Sequence, residues 1–250
     1  MNLGTQPEVS IVIPTKDRST LLRRALSSVE AQDFRDFEII VVDDGNGEGA
    51  RTAAAFLPGR IKTMMTGGAG QVPARNLGVG AAAGRRIAFL DDDDWWDDPA
   101  HLTRMLAASR EPCLLYASGR IVAEGQRPDV GASLIFKAHA DAASIRRDNQ
   151  LLVSGVIYHR VLHLRLGRFD EGLPYYWDWD WYLRVFAAAV PVIGAESEAV
   201  RISAREDSVS AETNFAARQA NLARLAVKHG LGDLKLRNHE SIARDGNRPS

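Results

Sequence analysis

The amino-acid sequence predicts an α/β protein with a doubly wound, mostly parallel central sheet flanked by helices. Three observations carry that prediction. Short apolar runs alternate with segments of helical period through residues 9–98, and the links between them are short. Three polar clusters, at residues 15–18, 43–46 and 91–94, stand where apolar runs end. Alternation of this kind lays successive strands side by side and parallel, with helices on the faces. Ligands of such sheets bind outside the carboxyl ends of the strands, where those clusters fall.

Each element has its own justification. Residues 9–13 (VSIVI) read as a buried strand closed by Pro14. Ser19 and Thr20 offer capping hydroxyls for a helix over 21–32, whose Leu22, Ala25, Leu26 and Val29 share one face. Residues 37–42 (FEIIVV) form a second buried strand that ends in the turn-former DDGNG. A short helix near 49–56 leads to a weaker strand at 60–65. The glycine-rich GGAG of 67–70 precedes a helix over 73–83, stopped by Gly84, and 87–90 is a fourth strand. Asp98-Pro99 supplies an N-cap and a first-turn proline for a helix over 100–108. Beyond it the pattern is less regular: strands at 113–122, 151–159 and 190–193, and helices at 178–189 and 213–229. The last helix gathers Leu222, Leu225 and Ala226 on one face, and residues 237–250 read as a polar, frayed end.

Composition narrows the function. The 250 residues carry a net charge of −1, which gives no field for nucleic acid or an anionic membrane. The single cysteine, Cys113, excludes an internal disulfide and reads as inert in an apolar strand. No apolar run approaches the roughly 20 residues of a membrane span. Residues 1–7 have neither a basic nor an apolar leader region. The expectation is a soluble, cytoplasmic protein, with a homodimer left open.

Two stretches concentrate the chemistry. In DDDDWWDD, residues 91–98, six carboxylates crowd into eight positions at the end of a buried strand. Alternate side chains at a strand end face the same way, so Asp91 and Asp93 can converge on one point. Their hard oxygens suit Mg2+ or Mn2+. Asp94 supports the turn, Trp95 and Trp96 wall the site, and Asp97 faces water. In YYWDWDWY, residues 175–182, rings interleave with two aspartates. One reading has Asp178 capping a helix above core rings. The other makes Tyr175, Trp177 and Trp179 a wall for the C–H faces of a sugar, with a carboxylate beside it to take a proton from a hydroxyl nucleophile. Asp44 can accept hydrogen bonds from a base or ribose, or serve the turn. Pro14, Thr15, Lys16, Asp17 and Arg18 bring backbone groups and a hydroxyl to the same crevice, and Arg75 can meet a nucleotide or pair with these acids. His159 and His163 have helical ligand spacing but lack acidic or cysteine partners. The GGAG loop lacks the Gly-Lys-Ser/Thr of a phosphate loop.

With these residues in place, the chain resembles the family 2 glycosyltransferases of the GT-A fold from about residue 9 to 210. VSIVIPTKDR at 9–18 is similar to that family's opening strand and nucleotide loop. SSVEAQ at 27–32 with FEIIVVDDG at 37–45 is similar to its next helix and strand, and ARNLG at 74–78 with IAFLDDDD at 87–94 to its helix and DxD segment. GRFDE at 167–171 followed by DWD at 178–180 looks like its acceptor-side signature. The resemblance implies a single domain, with a nucleotide-sugar half at 1–98, an acceptor half at 99–210, and a C-terminal helix and polar tail at 211–250. It implies inverting transfer from a nucleotide-diphosphate sugar, UDP- or dTDP-type, to a hydroxyl of a glycan or small molecule. It assigns residues 14–17 and Asp44 to the nucleoside, Asp92 to the ribose, Asp91 and Asp93 to Mn2+ or Mg2+, and Asp178 to the catalytic base. Three positions depart from the pattern. Lys16 stands where an aromatic is common, Trp177 where an acid commonly precedes the base, and Arg205-Glu206-Asp207 near a loop in which many relatives carry histidine. The alternatives are a non-catalytic carbohydrate- or nucleotide-binding module and a nucleotidyltransferase. The latter wants a Gly-rich, basic first loop, which residues 9–18 lack.

Overall fold

The computed structural model describes residues 6–124, 133–205 and 214–246. The first half runs β1 (Val9–Thr15), α1 (Ser19–Glu30), β2 (Phe37–Asp43), α2 (Glu48–Phe56), β3 (Ile61–Met65), α3 (Gln71–Ala81) and β4 (Arg86–Phe89). There follow β5 (Trp95–Trp96), α4 (His101–Ala107), β6 (Leu114–Tyr116), β7 (Gly119–Ala123), β8 (Ser133–Phe136), β9 (Val156–His159) and α5 (Val161–Leu166). The chain continues through α6 (Trp177–Ala187), β10 (Val192–Gly194), β11 (Val200–Ala204), α7 (Phe215–His229) and α8 (His239–Gly246).

Among the described residues two sheets form. The larger has the order β10-β6-β9-β4-β1-β2-β3, and the smaller β5-β11-β7-β8. In the larger sheet every pair is parallel except those made by β9, which lies antiparallel to both β4 and β6. The expected parallel sheet is therefore mixed, by one strand. Side chains alternate across it as a pleat requires. Ile11, Ile13, Ile39 and Val41 join Leu22, Leu26 and Val29 of α1 in one core. Val12, Ile40 and Val42 join Ala74 and Val79 of α3, Trp181 of α6 and Leu225 of α7 in the other. Gly78 makes the α3 contact close, because a Cβ there would sit 2.5 Å from Val12 Cγ1.

Several boundaries differ from the sequence reading, each for a local reason. Pro14 does not close β1, which continues through Thr15 in register with Asp43. Its missing N–H faces the β4 side, where strand pairing stops at Val12 and Phe89. Helix α1 begins at Ser19, so the hydroxyls of Ser19 and Thr20 lie inside the first turn, and Ser19 Oγ donates to Glu48 at 2.6 Å instead of capping. The apolar stretch at 113–122 is two strands in two sheets, broken at Ala117-Ser118. The start of the 151–159 stretch is a tight turn, Val153–Gly155, ahead of β9. At the C-terminus, residues 239–246 form α8 against β8 and bury Ile242 and Ala243, so the expected frayed end is packed there. Thr213, the expected first residue of α7, and residues 247–250 lie outside the described residues.

Candidate active site

A cavity of about 630 Å3 opens at the carboxyl ends of β1, β2 and β4. Its far wall is the start of α6 together with residues around Asn149 and His239. The cavity lining includes Pro14, Thr15, Lys16, Asp44, Arg75, Asp91, Asp92, Asp93, Tyr175, Trp177, Asp178 and Trp179. One expected contact is not among them. Asp17 turns away with a positive φ of 52°, and its Oδ1 accepts the Asn46 N–H at 3.2 Å, so it braces the turn after β2.

At the β2 end, Asp44 is buried and fully engaged. Its Oδ1 accepts from Thr66 Oγ1 at 2.5 Å and from Gly70 N–H at 2.8 Å, and its Oδ2 from Lys16 Nζ at 3.3 Å. Burial pushes the carboxyl up, but these donors outweigh it and hold Asp44 below its ordinary value. Gly70 delivers its N–H at a φ of 106°, a conformation glycine adopts freely. The GGAG loop thus positions an aspartate rather than a phosphate.

The four aspartates after β4 have four different surroundings. Asp91 accepts from Arg75 Nη2 at 2.5 Å, and Asp92 from Thr15 Oγ1 at 2.7 Å. Asp93 accepts from Arg18 Nη1 at 3.0 Å. Asp94 faces inward, accepting from Ser154 Oγ at 2.5 Å and from Ser203 N–H at 3.1 Å. Burial, then the carboxylates of Asp91 and Asp92, push Asp93 up to about 6 against the pull of Arg18. Burial, then Asp93 and Asp91, push Asp94 well above the carboxylate range, and burial also raises Asp92. Even with Arg18 and Arg75 seated here, the cluster keeps an excess of negative charge. A hard divalent cation fits that donor set at Asp91 and Asp93. No group of three or more His, Cys, Asp or Glu forms a closed cage among the described residues. Such an ion would therefore take its remaining ligands from water and substrate oxygens.

Asp178 lies on the opposite wall, in the first turn of α6. Burial pushes it up to about 6, opposed by the Trp179 N–H, by the Asn149 amide and by the charge of Arg75. Asn149 Nδ2 donates to Asp178 Oδ2 at 2.7 Å. A carboxyl with that value at the edge of a cavity can take a proton near neutrality and give it up again. Asp180, two residues on, does different work. It is fully buried, held by Arg184 at 2.8 Å, Lys228 at 2.7 Å and His229 at 2.8 Å, and it ties α6 to α7.

The aromatic wall is more core than surface. Trp177 is 5% exposed, packed edge-on against Phe89 at 5.9 Å and Phe169 at 4.7 Å, with the Arg75 guanidinium over its ring at 4.6 Å. Trp179 is equally enclosed and donates its Nε1–H to Ile145 O at 2.6 Å. Trp181 is fully buried, and Tyr175 is half-buried on the cavity. Nor do Trp95 and Trp96 wall the site. Trp96 is core and donates to Ser154 O at 2.8 Å, while Trp95 lies under Arg24 at 3.9 Å. Asp97 is paired with Arg201. Asp98 does not cap α4: the cap position is Ala100, Pro99 stands ahead of the helix, and Asp98 closes the preceding turn, its Oδ1 accepting the Ala100 N–H at 2.9 Å and its carbonyl the His101 N–H at 3.1 Å. Arg205 contacts Glu124 at 3.5 Å, while Glu206 and Asp207 lie outside the described residues.

Sequence reasoning brought Arg18 to the crevice with the first loop but gave no signal of its pairing with Asp93. It passed over Asn149, Ser154 and His239, for which no motif gave a signal. His239 lines the cavity as a neutral imidazole, pushed down to about 4 by burial, its ring edge-on to Phe136 at 5.3 Å.

The comparisons with known proteins agree with this geometry. Residues 10–170 match Glycosyl transferase family 2. An uncharacterized glycosyltransferase of Bacillus subtilis (strain 168), YwdF, is 34% identical over 238 residues, covering 92% of this chain and 87% of its own. A Campylobacter jejuni GalNAc(5)-diNAcBac-PP-undecaprenol beta-1,3-glucosyltransferase is 34% identical over 124 residues, covering 48% of this chain and 40% of its own. Among solved structures, S. aureus TarS 1-349 in complex with UDP-GlcNAc matches with a TM-score of 0.70 at 19% identity, over 91% of this chain and 68% of that one. The mannosyltransferase PcManGT from Pyrobaculum calidifontis, in complex with GDP-Man and Mn2+, matches with a TM-score of 0.60 at 16% identity, over 97% and 70%. At those identities the structural likeness shows a shared GT-A fold. The family match over residues 10–170 and the near-full-length likeness to YwdF go further: the chain belongs to glycosyl transferase family 2 and is a glycosyltransferase.

Proposed function

We propose that the protein transfers a sugar from a UDP- or dTDP-type donor to an acceptor hydroxyl in one inverting displacement, dependent on a divalent cation. The observation that carries this reading is the placement of Asp178, pushed up to about 6, across one cavity from Asp91 and Asp93. In the forward step Asp178 accepts the acceptor's hydroxyl proton. The freed oxygen attacks the anomeric carbon as the bond from that carbon to the diphosphate oxygen breaks, inverting the centre. A single displacement needs one base, and the cavity presents one at the helix start. Asp44, Thr15 and Lys16 line the nucleoside end, with Asp92 toward the ribose. Arg18 and Arg75, seated on the acid cluster, can meet the diphosphate oxygens. Asp91 and Asp93 would hold Mn2+ or Mg2+, which supplies charge neutralisation on the leaving diphosphate. Structural neighbours solved with UDP-GlcNAc in one case, and with GDP-Man and Mn2+ in another, support a nucleotide-diphosphate-sugar donor and the metal. Tyr175 is the half-buried ring available to an acceptor, and Trp177 and Trp179 shape the pocket from behind. The reducing compartment that the buried Cys113 suits supports a cytoplasmic location.

The test is turnover of a panel of UDP-, dTDP- and GDP-sugars with Mn2+ or EDTA, for wild type and Asp178→Asn. The expected result is donor-specific turnover abolished by EDTA and reduced by at least about a thousandfold in the variant, within the range seen when an essential proton acceptor is lost. Undiminished turnover in Asp178→Asn would sink the base assignment, and turnover that ignores EDTA would sink the metal.

A further inference from the structure

The scheme above leaves unassigned the side chain that touches Asp178 most directly. Asn149 Nδ2 donates to Asp178 Oδ2 at 2.7 Å, while Asn149 Oδ1 accepts the Leu151 N–H at 3.3 Å. The second bond fixes which end of the amide meets the carboxylate. The preceding residue, Asp148, accepts from Arg237 Nη1 at 2.5 Å. Arg237 is itself anchored in the C-terminal segment. Its Nη2 donates to Ser241 O at 3.2 Å and to Asp245 Oδ2 at 2.5 Å, and its carbonyl accepts from Arg218 Nη2 of α7 at 2.8 Å. Polar contacts thus link α8 through Arg237 to Asp148, and the peptide bond from Asp148 carries the link to Asn149 and the carboxyl on α6.

We propose that Asn149 is the positioning residue of Asp178, holding one carboxylate oxygen so that the other faces the acceptor hydroxyl, and that the C-terminal segment keeps Asn149 in place through the Arg237–Asp148 ion pair. The inference rests on the reading of Asp178 as the base. Its physical content is orientation and charge. Rotation of a carboxylate about its last side-chain torsion is soft, so an unheld Asp178 samples orientations that do not point at the acceptor. A donor aimed at the ionised form also offsets the burial that favours the neutral one. The other groups facing Asp178 are Arg75 from α3, Tyr176 ahead of α6, Tyr182 on α6 and the N–H groups of that helix's first turn. Asn149 supplies the side-chain hydrogen bond among them.

The test is a carbon-detected titration of aspartate carboxyls in the full chain, with the Asp178 signal assigned by its loss in Asp178→Asn. Wild type is expected to titrate near 6. Asn149→Asp, close to isosteric, replaces the donor with a like charge and moves the Asp178 midpoint up by about one pH unit. Asn149→Ala moves it in the same direction by less, and Arg237→Ala by less again. UDP with Mn2+, titrated calorimetrically into each variant, is expected to bind within about twofold of wild type, because Asn149 stands on the far wall from the donor. An unmoved midpoint in both Asn149 variants overturns the proposal, as does their losing UDP binding while the midpoint stays put. A midpoint that moves in the Asn149 variants but not in Arg237→Ala overturns its C-terminal half. The readout is the carboxyl and not turnover, so it separates this inference from the base assignment, which falls only if Asp178→Asn still transfers sugar.

Discussion

Asp178 combines two roles that pull against each other. Its folded value, about 6, lies above the ordinary carboxylate range, so the fold favours its neutral form. The stability it contributes is complete below about pH 4 and is lost as pH rises through about 6. Turnover has the opposite dependence, since the base must be ionised, and is expected to rise from pH 5 to 7. Asp178→Asn removes the titration. We therefore expect it to be more stable than wild type at pH 8, by on the order of 3 kcal/mol, with the advantage fading toward pH 4. Melting of both proteins across that range checks it; a constant difference between them would contradict the buried, raised carboxyl. Asp91, Asp93 and Asp44 were legible in the sequence because buried strands announce their own ends. Asp178 was legible through the family resemblance and the odd density of rings around it. Asn149 was not, because its contact spans 29 positions and exists only once α6 has docked. The rings were legible only as two alternatives for a related reason. A tryptophan run reads alike whether the indoles meet a sugar or meet Phe89 and Phe169, and only packing decides.

At the scale of elements, the strands and helices of the first half followed from period and turn chemistry to within a few residues. Each of those elements buries a stripe or face that the sequence spells out. The second half resisted because its strands are three to five residues long and change sheet within a few residues. The C-terminal helix α8 is the sharpest case. Eight residues with two buried apolar side chains give almost no periodic signal, yet Ile242 and Ala243 complete a core. Ile242→Ala is expected to cost about 2 kcal/mol, as truncation of a buried isoleucine does. Chemical denaturation measures it directly, and a cost near zero would return residues 239–246 to the frayed end that their composition suggests.

At the scale of the whole molecule, the cavity draws on both halves, so ligand binding and folding stability should be linked. UDP with Mn2+ at a hundredfold over its Kd is expected to add about 2.7 kcal/mol to stability. The melting temperature should climb further with concentration, and more for Mn2+ and UDP together than for either alone. Thermal shift across a concentration series checks this, and equal shifts for UDP with and without the metal would speak against Asp91 and Asp93 as its seat. The larger sheet carries a last consequence in its one reversed strand. Because β9 runs against β4, the turn that opens β9 arrives at the same rim where β1, β2 and β4 end. Thr15, Asp44 and the acidic cluster reach that rim by leaving the sheet, and the segment bearing Asn149 and Ser154 reaches it by entering. A change of length ahead of Asn149 is therefore expected to reshape the far wall of the cavity while the register of β3, β2, β1 and β4 stays in place, whereas Ser154 is tied to the acidic cluster through Asp91 and Asp94 and is expected to tolerate no such change.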